Sequence, residues 1–380
     1  MPKPCQDDYF VEFHSFADMM SYHEMQSKNS RWERTEVNTL CVIPLDASSP
    51  LYSAQASFAS DVSEEAVKDT ANNLGLAIKV GEDLYPLRST AYKSLLDRAK
   101  ISETALPKLK REDLAGILNA CLALHKAESL LLIRDEKVSA VHSGDTTDYS
   151  VLLINELLDA LKTKLDERFA DNEFDTGYSD HSFTSAAWSL PGQKADLIGA
   201  YQKVLDSQGK TALAGKLMPG IRFSTSDTGV ASAKVSALIL GLQHPIHIGG
   251  MLAVDHRGQS KIMDFNEAID MMFAKFCDAI ANLEKLTNVY LDYPINAMTA
   301  ICKKLAMPKK AALEAIGMFE VTCGGGTATA HDIFMAMQEI LFTSKIEGTP
   351  ISKLLMLEES MARALTLNWE KYDYAKTVSW

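Results

Sequence analysis

The chain has 380 residues, of which 47% are hydrophobic and 23% charged, as expected for one large or two ordinary globular domains. No apolar run reaches about 18 residues, which excludes a helical membrane span, and the first residues lack the layout of a signal peptide. Six scattered cysteines without a CxxC pair favour a reduced, cytoplasmic setting over a disulfide framework.

The net charge of −12 is distributed unevenly along the chain. Residues 1–85 hold fourteen acidic and six basic side chains, and residues 144–183 hold ten acidic and three basic ones. Residues 209–263 reverse the balance, with six basic side chains and two acidic ones. Four lysines over residues 303–310 form a second basic cluster, which chance variation on a solvated surface explains equally well. Such segregation steers an anionic partner even when the total charge is negative.

The first 85 residues predict an acidic N-terminal region with little periodicity. A strand is expected over residues 39–45, and Ser63 with the two glutamates that follow it opens a helix. A small hairpin is expected over residues 76–87, with its turn at Gly81.

Residues 86–260 predict an α+β sheet domain, because helical and strand patterns occur there without regular alternation. Helices are expected over residues 88–99, 109–127 and 150–168, and strands over residues 129–134, 137–142, 181–190 and 249–254. The mixture excludes the strand–helix repeat of a nucleotide-binding α/β fold. We expect a central, mostly antiparallel sheet flanked by helices.

Residues 261–380 predict a helical C-terminal region, which packs either separately or as one unit with the sheet domain. Apolar residues at helical spacing over residues 262–286 indicate a helix of about seven turns. Thr329 and Asp332 have the spacing of a capping box for a helix that ends near residue 342. The glycine run at 324–326 is a phosphate cradle or, more in keeping with its sequence, an entry loop before that cap.

The most informative stretch covers residues 217–258 and begins with a hairpin. If residues 227–229 form a three-residue loop with Gly229 in the left-handed conformation, Phe223 lies opposite Ala233. One face of this hairpin is then apolar and packs on a core.

The other face of the predicted hairpin places Arg222 opposite Lys234 and Ser224 opposite Ser232. Like charges that face each other across strands destabilise a sheet unless an anion lies between them. The pairing therefore predicts a surface that contacts an anion.

Other cations extend this surface if the strands over residues 129–134 and 137–142 join the hairpin's sheet. The predicted nucleic-acid-binding set is Arg88, Arg134, Lys137, Arg222, Ser224, Ser232 and Lys234. Phosphate contacts by cations and hydroxyls, with aromatic rings as stacking platforms, are the requirements of single-strand binding. Tyr92, Tyr149 and Trp188 are the available aromatic residues.

The histidines of the same stretch offer an alternative. His244 and His247, with His256 nearby, have the composition of a metal site, but Pro245 separates the pair and acidic partners are few. Histidines in a sheet or at the surface explain the pattern better. No nucleophile elbow or other catalytic signature occurs, so we assign no catalytic residue, metal or cofactor.

Three blocks of the chain resemble the DUF932 family of phage- and plasmid-associated proteins. They cover residues 86–92, 137–161 and 219–237, and with a compatible helical tail the resemblance extends over about residues 86–345. Residues 242–245 replace a Cys-Asn-Gly element of that family, and the first 80 residues match nothing in it. The resemblance implies a mobile-element protein considered alongside DNA recombination and single-strand annealing, without established catalytic residues.

These observations predict a cytoplasmic, non-catalytic protein of a phage or plasmid that binds nucleic acid, with single-stranded DNA favoured and homo-oligomers compatible with annealing. Two other classes stay open. One is a protein-interaction or anti-defence factor that uses its acidic surface, and the other is a metal-dependent hydrolase built on the three histidines.

Overall fold

The computed structural model describes residues 2–53, 57–102, 105–242, 245–249, 252–256 and 262–380. Helices make up 48% of it and strands 22%, with a large antiparallel sheet and a helical C-terminal part, which confirms the predicted α+β class. Within these residues no helix combines the length and apolarity that a membrane crossing requires. The domain boundaries at residues 85 and 260 stay a prediction.

Strands and helices are numbered in chain order. The strands are β1 Phe10–Phe13, β2 Arg31–Glu36, β3 Cys41–Pro44, β4 Leu76–Val80, β5 Asp83–Pro86, β6 Glu128–Arg134, β7 Lys137–Ser143, β8 Glu173–Asp180, β9 Thr184–Ser189, β10 Met218–Thr225, β11 Ala233–Leu240, β12 Ile246–His247, β13 Leu252–Val254, β14 Tyr290–Leu291 and β15 Ala328–Thr329. The helices are α1 Phe16–Asn29, α2 Pro50–Ser53, α3 Glu64–Asn72, α4 Ala91–Ala99, α5 Arg111–Leu122, α6 Ile154–Arg168, α7 Lys194–Ser207, α8 Thr211–Lys216, α9 Ile262–Leu286, α10 Pro294–Lys304, α11 Lys309–Cys323, α12 Ala330–Met337, α13 Glu339–Ile346 and α14 Ile351–Ala362.

The largest sheet has the strand order β1-β8-β9-β10-β11-β12, with β13 also paired to β11. Its neighbouring strands run antiparallel. Ile221, Phe223 and Val235 alternate along the central strands and are buried against the helices, including α9. This alternation is what a sheet with one core-facing side requires. The predicted seven-turn helix is confirmed by α9, which has 25 residues.

Two smaller sheets enclose a second apolar cluster. Their strand orders are β2-β6-β7 and β3-β4-β5, and helices α4 and α5 cover them. The premise that β6 and β7 join the hairpin's sheet is wrong, because β6 pairs with β2 on one side and with β7 on the other. Cations on these strands therefore do not continue the row of cations on β10 and β11.

The register of the β10–β11 hairpin differs from the prediction by two residues. Phe223 lies opposite Val235 instead of Ala233, and Arg222 lies opposite Ser236 instead of Lys234. The reason is the loop, which has seven residues between the strands, because the Ser226 hydroxyl accepts hydrogen bonds from two backbone N–H groups beyond it. A shift of two preserves which side chains share a face.

Several local predictions are confirmed. Gly229 has φ +77°, the left-handed conformation that its loop requires. Ser63 caps α3 by accepting the N–H of Ala66, and Thr329 with Asp332 forms the capping box of α12.

Candidate functional site

A polar groove lies where α4, the end of β7, the β10–β11 loop and residues 255–256 meet. Its main part is a cavity of about 830 Å³. A second cavity of about 480 Å³ shares four lining residues with the first, which are Arg98, Lys100, Ser143 and Asp148. The two cavities together are here called the polar groove.

Parallel aromatic rings form part of the groove wall. The rings of His142 and Tyr149 stack at a centroid distance of 3.6 Å with 4° between their planes. His256 lies nearly parallel to Tyr149, at 5.6 Å and 8°, and Trp32 adjoins His142 at 6.1 Å and 28°. These four residues are here called the ring stack, of which His142, Tyr149 and His256 line the larger cavity.

Hydrogen bonds fix the orientation of these rings. The backbone carbonyl of Asp227 accepts two of them, from the Tyr149 hydroxyl at 3.0 Å and from His142 Nε2 at 2.8 Å. A carbonyl only accepts, so His142 carries its proton on Nε2. By the same argument His256 donates from Nδ1 to the carbonyl of Ser150 at 3.2 Å, and its Nε2 accepts from the Thr225 hydroxyl at 3.3 Å.

Burial keeps the ring stack uncharged near neutral pH. It lowers the pKa of His142 to about 4, against an opposing contribution from the Asp227 carbonyl. Burial also lowers the pKa of His256 and raises that of Tyr149 well above its usual value. The charges of the groove therefore come from other side chains.

Cations line the α4 side of the groove. Lys93 and Lys100 are exposed and Arg98 is half-buried, and none of the three makes an ion pair with another described residue. Arg98 borders both cavities, and its Nε atom is buried without a hydrogen-bond partner among the described residues.

Carboxylates are also present along the groove. The five are Asp97, Glu128, Asp145, Asp148 and Asp255. Four of them are engaged locally: Glu128 pairs with Arg34, and the other three accept hydrogen bonds from Thr147, Ser143 and Ser232 respectively. The groove therefore has a mixed charge, with its unpaired cations on one wall.

The structure places two of the predicted site residues, Arg88 and Lys137, in a buried ionic cluster. Both side chains are fully buried. Arg88 contacts the carboxylate of Asp7 at 3.4 Å, and Lys137 contacts Asp7 at 3.0 Å and Asp69 at 2.5 Å. In this conformation neither cation faces solvent.

Arg134 is likewise engaged, because its guanidinium pairs with the carboxylate of Asp227 and donates from Nε to Ser30 at 2.7 Å. Burial would raise the pKa of Asp227, but the charge and hydrogen bond of Arg134 outweigh it and lower that pKa. Asp227 is also the residue whose carbonyl holds the ring stack. Arg134 therefore does not line the groove, but its ion pair with Asp227 helps to fix the position of the ring stack.

The hairpin cations face the last helix. Arg222 is buried and pairs with Glu358 of α14, and Lys234 contacts Glu359 at 3.1 Å. The anion inferred from the sequence is thus supplied by the protein itself. Of the two predicted serines, Ser224 is buried in the sheet, whereas Ser232 borders the groove and donates to Asp255.

The seven predicted residues therefore do not meet in one groove. The described residues that form the polar groove instead include Lys93, Arg98, Lys100 and the ring stack. Helical spacing does place Lys93 and Asp97 on the polar face of α4, opposite its buried residues, and Lys100 is the C-cap residue that follows this helix. That signal shows which face is solvated, but only the tertiary structure shows that this face borders a cavity.

Of the three histidines in the alternative metal site, His244 lies outside the described residues. His247 is buried and burial lowers its pKa to about 3, while His256 belongs to the ring stack. Among the described residues, no cluster of three or more His, Cys, Asp or Glu side chains suits a metal ion.

Comparison of the chain with family models, with curated proteins and with solved structures finds no match. The DUF932 resemblance stays a prediction.

Proposed function

We propose that this protein binds nucleic acid without catalysing a reaction, with single-stranded DNA favoured, and that the polar groove is the contact surface. The observation that carries the proposal is the α4 wall. It presents Lys93, Arg98 and Lys100 to the polar groove, and none of them pairs with a described carboxylate. A phosphate backbone gains most binding free energy from cations that line a groove and have no carboxylate partner.

The extent of the groove supports a polymer as the ligand. The two cavities, about 830 Å³ and about 480 Å³, share Arg98 and Lys100 in their linings, so a strand that contacts both cavities meets the same two cations. The exposed Ser102 borders the larger cavity, and its hydroxyl supplies a neutral hydrogen bond of the kind that accompanies phosphate contacts. A strand held by its backbone leaves its bases free to pair, as annealing requires.

The proposal also covers the cellular compartment, the origin and the oligomeric state of the protein. Cys5, Cys41, Cys121, Cys302 and Cys323 are free thiols, which supports a reduced, cytoplasmic compartment. The resemblance to DUF932 supports a phage or plasmid origin. A homo-oligomer that places several such grooves side by side is the arrangement that we propose for annealing.

Fluorescence anisotropy with a labelled single-stranded oligonucleotide tests the proposal. Replacing Lys93 and Lys100 by alanine removes two phosphate contacts, so we expect the Kd to rise by about ten-fold or more at low salt. The matched control replaces Lys304 and Lys309, two exposed lysines of the C-terminal region, and should keep the wild-type Kd. Equal effects of the two double variants, or no binding by the wild type, would contradict the proposal.

A second candidate is a protein-interaction factor, and the groove carboxylates favour it. Five carboxylates against three cations suit a basic protein segment, as an acidic mimic of nucleic acid would. The Asp97→Asn substitution separates the two candidates, because Asp97 makes no ion pair within the described chain. Oligonucleotide affinity should rise if nucleic acid is the ligand, whereas affinity for labelled oligolysine should fall if a basic partner is.

A further inference from the structure

The carboxylate of Asp7 is held by four donors, an unusual number for a side chain near the surface. Its Oδ1 accepts from Lys137 Nζ at 3.0 Å and from Arg88 Nη1 at 3.4 Å. Its Oδ2 accepts from the backbone N–H of Ser89 at 2.9 Å and from the Ser89 hydroxyl at 2.5 Å. Two cations, one backbone amide and one hydroxyl thus converge on the two carboxylate oxygens. Such a set of donors is typical of a site that binds an oxyanion.

The charge of this cluster depends on Asp7. Arg88 and Lys137 are fully buried, and apart from Asp7 their ion pairs with described residues come from Asp69 alone, through Lys137. Without Asp7 the cluster holds two cations against one paired carboxylate. Burial lowers the pKa of Arg88, and Asp7 is the largest opposing influence. Asp7 is therefore the carboxylate that pairs with both buried cations, and its removal leaves Arg88 without an ion pair among the described residues.

The segment that carries Asp7 is held by hydrogen bonds and by an ion pair between Lys3 and Glu65, and the Asp7 N–H donates to Asp69 at 3.1 Å. Residues 2–9 contain no helix or strand, and β1 begins only at Phe10. Arg88 also donates to the carbonyls of Pro4 and Gln6, and His181 Nε2 donates to that of Gln6 at 2.8 Å. Residues 2–9, here called the plug, cover the two buried cations, and Asp7 is the residue of this segment that pairs with both of them.

We propose that Arg88, Ser89 and Lys137 form a binding site for a phosphate group, which the protein's own Asp7 occupies in this state. A phosphate presents at least as many acceptor oxygens as the carboxylate and carries more negative charge. When residues 2–9 move away, the site takes a phosphate from a free anion or from a nucleic-acid backbone. The site is separate from the polar groove, so the inference holds or fails independently of the groove as the contact surface.

Rescue of an Asp7→Ala variant by phosphate tests the inference. The variant leaves the site empty, so inorganic phosphate at about ten times its Kd should raise Tm saturably, by about 2–4 °C. The Asp8→Ala variant is the matched control, because Asp8 is exposed and has the same charge. Equal phosphate responses of the two variants, or none in Asp7→Ala, would overturn the inference.

A labelled single-stranded oligonucleotide forms the second arm and distinguishes the source of the phosphate. If the Asp7→Ala variant binds the strand more tightly than Asp8→Ala does, the site accepts a nucleic-acid phosphate. If only inorganic phosphate acts, the site takes a free anion, and if neither acts, the proposal is wrong.

Hydrogen exchange keeps the inference testable if Asp7→Ala does not fold. The Asp7→Asn variant keeps the shape of the side chain and loses its charge. In this variant phosphate should compete with the new side-chain amide at position 7 for Arg88, Ser89 and Lys137. Displacement of the plug should then accelerate backbone hydrogen exchange over residues 2–9, with no such change in Asp8→Asn. Unchanged exchange in both variants would exclude displacement of the plug.

Discussion

Arg222 shows how a residue identified from sequence acquires a different role in the fold. The alternation of the hairpin correctly predicts that Arg222, Ser224 and Lys234 share the face opposite the apolar one. Its partner could not be predicted, because Glu358 lies 136 residues further along the chain and nothing local marks it. The same holds for Lys137, whose partner Asp7 lies 130 residues away.

The Arg222→Ala substitution should destabilise the fold more than it affects binding. It leaves Glu358 buried without its cation, which costs about 3–5 kcal/mol of unfolding free energy at pH 7. Burial already raises the pKa of Glu358, and loss of Arg222 raises it further. A carboxyl with a raised folded-state pKa binds its proton more readily when folded, so its contribution to stability is lost as pH rises. The cost should therefore shrink between pH 7 and pH 5.

Urea denaturation of wild type and variant at the two pH values measures this cost. Exposed Lys303 provides a control, since Lys303→Ala should change the unfolding free energy by less than about 0.5 kcal/mol. A small cost for Arg222→Ala, or one that does not depend on pH, would show that the pair is not buried as described.

The β10–β11 hairpin shows what can be predicted of an element and what cannot. Strand patterning and the left-handed glycine were readable, because both follow from local backbone preferences. The register was not, because it depends on the Ser226 hydroxyl closing a longer loop than the shortest one the sequence allows. The loop also supplies the carbonyl that holds the ring stack, a role visible only after β7 and the hairpin come together.

Gly229→Ala tests the link between this loop and the groove. The substitution strains a backbone with φ +77°, and the new Cβ would lie 3.3 Å from Cε1 of His142. We expect a loss of about 1–2 kcal/mol in unfolding free energy, together with weaker oligonucleotide binding, because the ring stack shifts.

Gly209→Ala is the matched control for Gly229→Ala. It has nearly the same φ, +75°, but a Cβ there meets no atom within 4 Å. Gly209→Ala should lower the unfolding free energy through backbone strain and leave the oligonucleotide affinity unchanged. If both variants bind oligonucleotide equally well, the loop does not organise the groove.

At the scale of the whole molecule, composition and patterning were sufficient for the α+β class and for the helical C-terminal part. They were not sufficient for the site. The ring stack joins Trp32, His142, Tyr149 and His256, and the groove appears only once the smaller sheets lie against the hairpin. The basic residues that the sequence patterns single out also do not mark the site, because most of them are paired with distant carboxylates.

The salt dependence of single-strand binding tests the account most directly. With three phosphate contacts from Lys93, Arg98 and Lys100, the slope of log K against log salt should be about −2 for wild type. Because each lost contact removes about 0.7, the slope should fall to about −0.7 in the Lys93→Ala, Lys100→Ala double variant. Anisotropy titrations over a salt series give both values. A salt-independent affinity, or a slope that the double variant leaves unchanged, would contradict the assignment of the polar groove as the nucleic-acid surface.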